Sequence, residues 1–175
     1  MMQEGRVSGI ATNLFPAVRG TGRGSAEWSC CGGRGGGMNS GAPEMPTDFA
    51  TRHLGDAPDA IAPDGSEVRL LGALSRGSMA AFRLAPNAVS KAVAHRTVEE
   101  IWFFTAGHGR MWRRLASREE ITEVAPGVSI TIPTGTHFQF RCDGGDPLEA
   151  VAVTMPPWPG DEEAYAVPGI WEPTV

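Results

Sequence analysis

Three residues that could bind a metal or move protons lie in two short stretches of the chain. His95 and Glu100 are separated by four residues in AVAHRTVEEIWFF, and His137 follows the turn sequence PTGT. Imidazole and carboxylate groups are the ligands that many transition metals prefer in proteins, and they are also common acids and bases in catalysis. Either chemistry requires that the elements carrying these residues bring the side chains together.

The elements around these residues have the pattern of short β-strands. Polar and apolar residues alternate with a period of two, and glycine, proline and aspartate punctuate the runs. No helix of useful length is evident from residue 66 onward. The expected strands lie in the runs EVRLLGAL, GSMAAFRLAP, VSKAVAHR, EEIWFFTAG, RMWRRLA, EEITEV, VSITIP, THFQFRC and LEAVAVTMP. Many short strands at regular spacing predict an all-β sandwich or barrel.

Two motifs resemble those of the cupin superfamily. In the first, His95, four residues, Glu100, six residues and Gly107 match a family pattern that begins with two histidines separated by one residue. Val93 then stands in the position of the first histidine. In a second register His95 is the first histidine, and Thr97 replaces the other.

The second motif departs from the family pattern near its histidine. Gly127, five residues, Pro133, Thr134 and Gly135 match the pattern, but only one residue separates Gly135 from His137 where the family has two. Arg141 stands where the family has an asparagine. The resemblance covers residues 66 to 156 and implies a double-stranded β-helix, the jelly-roll barrel of the cupins.

The resemblance also implies a site inside the barrel. If the inward faces of the two strands carry them, His95, Glu100 and His137 form a three-ligand set, with Gln139 as a fourth, weaker ligand. The expected cofactor is a divalent transition metal (Fe, Mn, Zn or Ni). The expected substrate-binding residues share these two strand faces: Trp102, Phe104, Gln139 and Arg141.

Several neighbouring residues have simpler interpretations. Glu99 points to the face opposite Glu100 and is expected to be a solvent carboxylate. His108 lies between two glycines in a turn, and His53 lies outside the barrel. The aromatic residues of these strands suit a core or a dimer face as well as a substrate platform.

Composition divides the chain into four expected segments. Residues 1–45 are rich in glycine without helix or strand periodicity, which predicts a disordered extension. Residues 46–65 lead into the barrel, and residues 47–58 are compatible with one short helical turn. The barrel spans 66–156, and residues 157–175, rich in proline and tryptophan, are expected to form a strap over its outside.

Charge and composition limit the classes of binding partner and the cellular location that we expect. The net charge of −5, without a basic run, argues against nucleic acid. No apolar run is long enough to span a bilayer, and the N-terminus lacks the apolar region of a secretory signal, so the cytoplasm is the expected location. We expect a homodimer that covers exposed strand edges and outward aromatic residues.

Three functions are compatible with these features. The first is a metal-dependent enzyme acting on a small polar molecule, similar to a dioxygenase or to a sugar isomerase or epimerase. The second is a small-molecule-binding or sensing module without catalysis, which the incomplete histidine set favours. The third is a scaffold whose pocket is closed by apolar side chains such as Val93.

Overall fold

The computed structural model describes residues 49–175. The expected disordered extension, residues 1–45, therefore lies entirely outside the described residues. This part of the chain is all-β, as predicted, and contains 11 strands. They are β1 (Ala60–Ile61), β2 (Glu67–Leu74), β3 (Gly77–Leu84), β4 (Val93–His95), β5 (Glu99–Ala106), β6 (Gly109–Leu115), β7 (Arg118–Val124), β8 (Ser129–Ile132), β9 (His137–Cys142), β10 (Leu148–Met155) and β11 (Ala164–Ala166).

The strands form two antiparallel sheets that face each other across the core. One sheet has six strands in the order β1-β2-β3-β10-β5-β8, and the other has five in the order β11-β4-β9-β6-β7. This arrangement is the predicted jelly-roll barrel. The nine strands expected from the sequence correspond to β2–β10, because two-residue alternation is a local property of the chain. The helical turn is absent from residues 49–58, which form no helix.

The core lies between the two sheets and is built from their inward side chains. On β5 the burial alternates, so that Glu100, Trp102 and Phe104 are buried and the residues between them are exposed. On β9, Phe138, Phe140 and Cys142 enter the same core. The largest buried side chains include Trp102, Phe104, Met111, Phe138 and Phe140.

The last 20 residues are not confined to one face of the barrel, because Trp158 and Ala164 line its inside and the NH of Trp158 donates to Ser78 Oγ on β3 at 3.0 Å. Other parts of this segment contact the five-stranded sheet. Strand β11 pairs with β4 at the edge of that sheet, and the backbone NH of Thr174 donates to the carbonyl of Val89 at 2.9 Å. Among residues 49–175 there is no helix with the length and hydrophobicity needed to cross a membrane.

Candidate functional site: the barrel cavity

Strand β5 carries Glu100 into the barrel. Glu99 is exposed whereas Glu100 is only 3% exposed, because neighbouring residues on a strand face opposite sides. Two residues farther on, the indole Nε1 of Trp102 donates a hydrogen bond to Glu100 Oε2 at 2.8 Å. The strand therefore holds the Glu100 carboxyl group in one orientation against the core.

His95 lies at the end of β4, on the opposite sheet, and faces Glu100. Its Nδ1 is 3.8 Å from Glu100 Oε2, which is too long for a hydrogen bond. Within the described residues this buried nitrogen has no hydrogen-bond partner. The ring packs edge-on against Phe138 and Trp158, with centroids 5.2 and 5.3 Å away.

These two side chains line a cavity of about 50 Å³ inside the barrel. Its walls are mostly apolar and include four aromatic rings, those of Phe82, Trp102, Phe138 and Trp158. The polar side chains on its surface are Asp64, Ser78, His95, Glu100 and Thr154. The cavity is therefore an apolar chamber with a small number of polar groups, which is typical of small-molecule sites.

Burial changes the charge of the facing pair. Loss of solvent raises the pKa of Glu100 to about 8, although the hydrogen bond from Trp102 acts in the opposite direction. Loss of solvent lowers the pKa of His95 to about 4, against the attraction of the Glu163 carboxylate. At neutral pH both groups are thus uncharged, the acid protonated and the imidazole neutral.

His137 does not join this pair. His137 lies on the outward face of β9, where its Nδ1 is 3.0 Å from the Nη2 of Arg114. The residue that enters the core is Phe138, whose Cα is paired with that of Val93 on β4. The expectation that His95, Glu100 and His137 converge is therefore wrong for His137.

The physical reason is the length of the turn before β9. Gly135 adopts a φ of 76° in this turn, and one residue separates it from His137. With the two-residue spacing of the family, the position after the turn is Phe138, which does point inward. Because side chains alternate along a strand, the missing residue moves the histidine to the other face.

The family comparison agrees with this architecture. The family described as "Cupin domain" matches residues 80–154, from β3 to the end of β10. This match identifies a cupin domain in residues 80–154. No curated protein sequence matches the chain significantly.

Solved structures similar to this cupin include proteins with different descriptions. Oxalate decarboxylase from Lactobacillus farciminis, in a formate complex, is 18% identical over 58% of this chain and 31% of its own, with a TM-score of 0.52. The coconut allergen cocosin is 18% identical over 67% and 33%, with a TM-score of 0.53. A variant of Streptomyces PAC13 with uridine is 13% identical over 62% and 82%, with a TM-score of 0.50.

These matches establish the fold and do not assign an activity. The chain spans about a third of the decarboxylase and of cocosin. At such low identity, a shared barrel is compatible with many functions, so the function has to be argued from the residues of this cupin.

The residues that line the cavity at the family's ligand positions do not suit a transition metal. Val93 stands in the position of the first histidine and Phe138 at the family's two-residue spacing from Gly135, and neither side chain has a donor atom. At these positions only His95 and Glu100 carry one. The other register fails because Thr97 is exposed, and its NH and hydroxyl both donate to Glu163. Residues 49–175 contain no group of three or more His, Cys, Asp or Glu that could hold a metal ion.

Gln139 makes hydrogen bonds to the C-terminal strap and does not line the cavity. Its Nε2 donates to the carbonyls of Ser90 and Trp171, each at 2.8 Å, and its Oε1 accepts from the NH groups of Ile170 and Trp171 at 3.0 Å. A Cβ at Gly169 would lie 2.5 Å from Gln139 Oε1, so the glycine permits this close approach. The amide is fully engaged outside the core, and Gln139 does not line the cavity, so the structure does not bring it together with His95 and Glu100.

The other expected substrate-binding residues divide between core and surface. Trp102 does line the cavity, whereas Phe104 is fully buried in the core and is not part of the cavity wall. Arg141 faces outward, where its Nε donates to Asp143 at 2.6 Å and its guanidinium lies 5.6 Å from the Trp171 ring centroid. Of these four residues, only Trp102 is placed where a ligand in the cavity would touch it.

Sequence reasoning missed several cavity residues that come from distant parts of the chain. Asp64 belongs to the turn before β2 and accepts hydrogen bonds from the NH and hydroxyl of Ser66 at 2.8 and 2.6 Å. Burial raises its pKa. Trp158, from the strap, lines the cavity, and its indole NH has no partner within the described residues. The PDG sequence signals only a turn, and no local pattern directs a tryptophan in a proline-rich tail into the barrel.

Proposed function

We propose that this cupin is a metal-independent binding protein for a small uncharged molecule that carries a hydroxyl group. The observation that carries the proposal is the composition of the cavity. Val93 and Phe138 occupy two positions where the family motifs have histidines, while His95 and Glu100 remain as a neutral pair. This is the second of the three functions that the sequence allows.

The spacing of the pair suits a hydroxyl group. His95 Nδ1 and Glu100 Oε2 are 3.8 Å apart, so one oxygen atom can lie about 2.8 Å from both, an ordinary hydrogen-bond distance. A hydroxyl can accept a hydrogen bond from the protonated carboxyl group and donate one to the neutral imidazole. It would satisfy the buried Nδ1, which otherwise lacks a partner within the described residues.

The size of the cavity limits the ligand to a few atoms. A water molecule needs about 10–15 Å³ of such volume. A cavity of about 50 Å³ therefore accommodates about three to five non-hydrogen atoms. Walls such as Phe82 and Phe138 favour an apolar body for the ligand. Small alcohols have this combination of one hydroxyl and a short hydrocarbon part.

The lining of the cavity disfavours an anionic ligand. Asp64 and Glu100 are both buried carboxyl groups, and burial raises the pKa of each. A carboxylate brought into this chamber would lose its hydration and would meet an uncharged imidazole in place of a cation, because burial lowers the pKa of His95. The cavity should therefore select an alcohol over an acid of similar size.

The same electrostatics favour binding over acid–base catalysis. An effective general base at neutral pH has a pKa near 7. Burial lowers the pKa of His95 to about 4, which makes the imidazole a weak proton acceptor. The metal-dependent oxidation or isomerisation considered from the sequence also lacks a suitable donor set in the described residues.

A titration with 2-propanol tests this proposal. Trp102 and Trp158 both line the cavity, so their indole NH signals in two-dimensional nitrogen–proton NMR spectra report its occupancy. We expect saturable shifts with a dissociation constant in the millimolar range, because a ligand of four heavy atoms contributes at most about 6 kcal/mol. Acetate at the same ionic strength should produce no saturable shift of either signal.

Two results would contradict the proposal. If neither indole signal responds to 2-propanol, the cavity does not bind this class of ligand. If protein purified without a metal-affinity tag contains a stoichiometric transition metal by elemental analysis, the metal-dependent enzyme becomes the better explanation.

We also propose that two copies associate through the outer face of the six-stranded sheet. Met79 on β3 and Ile101 and Phe103 on β5 expose 40%, 45% and 49% of their surface on this face. Burial of such side chains against a second copy is favourable. Light scattering at micromolar concentration should give a dimer mass for the wild type and a monomer mass for Phe103→Glu. A monomeric wild type would contradict this proposal.

A further inference from the structure

A second cleft lies where the two sheets part, at a distance from the cavity-lining pair along the barrel wall. Strands β7 and β8 are the last strands of their sheets, and between them opens a cleft of about 170 Å³. The guanidinium of Arg113 spans the gap, since its Nη1 donates to the backbone carbonyl of Thr131 at 2.7 Å. We call this the edge cleft and define it by Arg113, Arg118, Glu120, Thr131 and Thr136, which line it.

Two buried hydrogen-bond donors of the edge cleft have no acceptor within residues 49–175. They are Arg113 Nε and Thr136 Oγ1. Thr136 is only 3% exposed, so bulk water does not supply the missing partner. Buried donors without an acceptor are uncommon, and two of them in the lining of one cleft indicate that something else provides the acceptor.

The net charge of the edge-cleft lining determines whether a negatively charged acceptor is favoured. Glu120 accepts hydrogen bonds from Arg113 at 3.1 Å and from Arg118 at 2.8 Å. The hydroxyl of Thr122 donates to the same carboxylate at 2.8 Å, and these bonds lower the pKa of Glu120, which therefore remains ionised. Two guanidinium groups against one carboxylate leave one positive charge in the lining.

We propose that the edge cleft binds a small oxyanion, with Arg113 Nε and Thr136 Oγ1 as its hydrogen-bond donors. A phosphate or carboxylate oxygen accepts from a guanidinium NH and from a hydroxyl with ordinary geometry. The cleft has more than three times the volume of the barrel cavity, enough for an ion of this size. This site is independent of the alcohol-binding cavity, since it shares none of the residues that define it.

Inorganic phosphate and acetate are the probes that test this inference. Each is titrated into the full-length protein at constant ionic strength with chloride as the balancing anion. The Nε–Hε signal of Arg113 and the amide signal of Thr136 in NMR spectra report directly on the two donors. We expect both signals to shift saturably with at least one oxyanion and to stay in place with chloride alone.

A matched pair of substitutions identifies the donor. Thr136→Val keeps the shape of the side chain but removes the buried hydroxyl, and we expect it to weaken oxyanion binding about tenfold. Thr131→Val changes a threonine of the same cleft whose backbone carbonyl, not its hydroxyl, meets Arg113, and we expect less than a twofold change. Arg118→Gln, on a side chain that is 84% exposed, should weaken binding about threefold without affecting folding.

Three outcomes would overturn the inference. The first is that neither signal responds to either oxyanion, which would mean that water alone occupies the cleft. The second is that Thr136→Val and Thr131→Val bind the oxyanion equally well. The third is that saturable shifts occur only at Arg110 and Arg141, which pair with Asp143. If Thr136→Val fails to fold, the wild-type titration and Arg118→Gln still decide the question.

Discussion

Strands β5 and β9 both carry residues expected at the site, but only β5 delivers its polar side chain to the cavity. On β5, Glu100 and Trp102 face inward and are bonded to each other. On β9, Phe138 faces inward, while His137 and Gln139 face the outside of the sheet. The two-residue alternation can be recognised in the sequence of both strands, but the prediction of which residues face inward is correct only for β5.

The difference shows how a single residue in a turn changes the chemistry of a barrel. The shortened turn before β9 moves one histidine out of the cavity and places a phenylalanine there instead. The outward residues of β9 then take structural roles, since Gln139 holds the strap and His137 meets Arg114. The following predictions test this contrast between an inward acid on β5 and outward polar residues on β9.

The largest expected effect is on the outer face of β9. Gln139→Leu keeps the volume but leaves the backbone groups of Ser90, Ile170 and Trp171 without partners. We expect the free energy of unfolding to fall by about 4 kcal/mol, at about 1 kcal/mol for each lost hydrogen bond. Urea denaturation measures the change. The control is Arg141→Gln on the same face, which should change stability by less than about 0.5 kcal/mol. A loss below about 1 kcal/mol for Gln139→Leu would show that the strap does not depend on this amide.

The second prediction introduces a metal ligand on the inward face of β9. Phe138→His places an imidazole next to His95, whose ring centroid is 5.2 Å from that of Phe138, on the wall shared with Glu100. Three converging donors suit zinc, and we expect zinc affinity to rise about 100-fold over the wild type, or about 2.8 kcal/mol. Competition with a chromophoric chelator measures the affinity.

The control for this substitution uses the outward histidine. His137→Ala in the Phe138→His background should leave the zinc affinity unchanged. A loss of zinc binding in that double variant would mean that His137 can reach the cavity, contrary to the orientation of β9.

The third prediction concerns the inward acid of β5. The folded-state pKa of Glu100 is raised to about 8 from its ordinary value of 4.5, so its contribution to stability is present at low pH and is lost as the pH rises toward 8. The folded-state pKa of His95 is lowered to about 4 from 6.5, so His95 is uncharged in both states well above pH 6.5. The span from pH 6.5 to 8 is about 1.5 units, which corresponds to about 2 kcal/mol.

Glu100→Gln removes this titration. We expect the stability of the wild type to fall by about 2 kcal/mol more than that of the variant between pH 6.5 and pH 9. Urea denaturation at both pH values measures the difference. Parallel pH dependence in the two proteins would contradict the raised pKa of Glu100.

The smallest expected effect is at the outward histidine itself. His137→Ala removes a contact with Arg114 at the partly exposed face of β9. We expect a change in unfolding free energy below about 0.5 kcal/mol and unchanged shifts of the Trp102 and Trp158 signals with 2-propanol. His95→Ala should abolish those shifts. Equal effects of the two substitutions would remove the contrast between the inward and outward histidines.

Much of the fold could be predicted from local patterns. The alternation in EEIWFFTA placed Glu99 outside and Glu100 inside, and the glycine and proline turns marked the boundaries of strands β2–β10. The short strands β1 and β11 were missed because two or three residues are too few for a period to be recognised. The pairing of His95 with Glu100 followed from the resemblance to a known motif, and the structure places the two side chains face to face.

The sequence by itself determined the succession of strands β2–β10 along the chain, the turns between them and the types of residue available to the site. Only the tertiary structure decided which of them meet. The position of Asp64 and Trp158 in the cavity and the contact between Gln139 and the strap depend on residues more than 20 positions apart. The uncharged state of His95 and Glu100 also depends on the fold, because loss of solvent shifts a pKa only when the whole barrel surrounds the group. Alternation along a strand is a local consequence of backbone geometry. The burial of a side chain and the identity of the residues that it contacts arise from packing between strands.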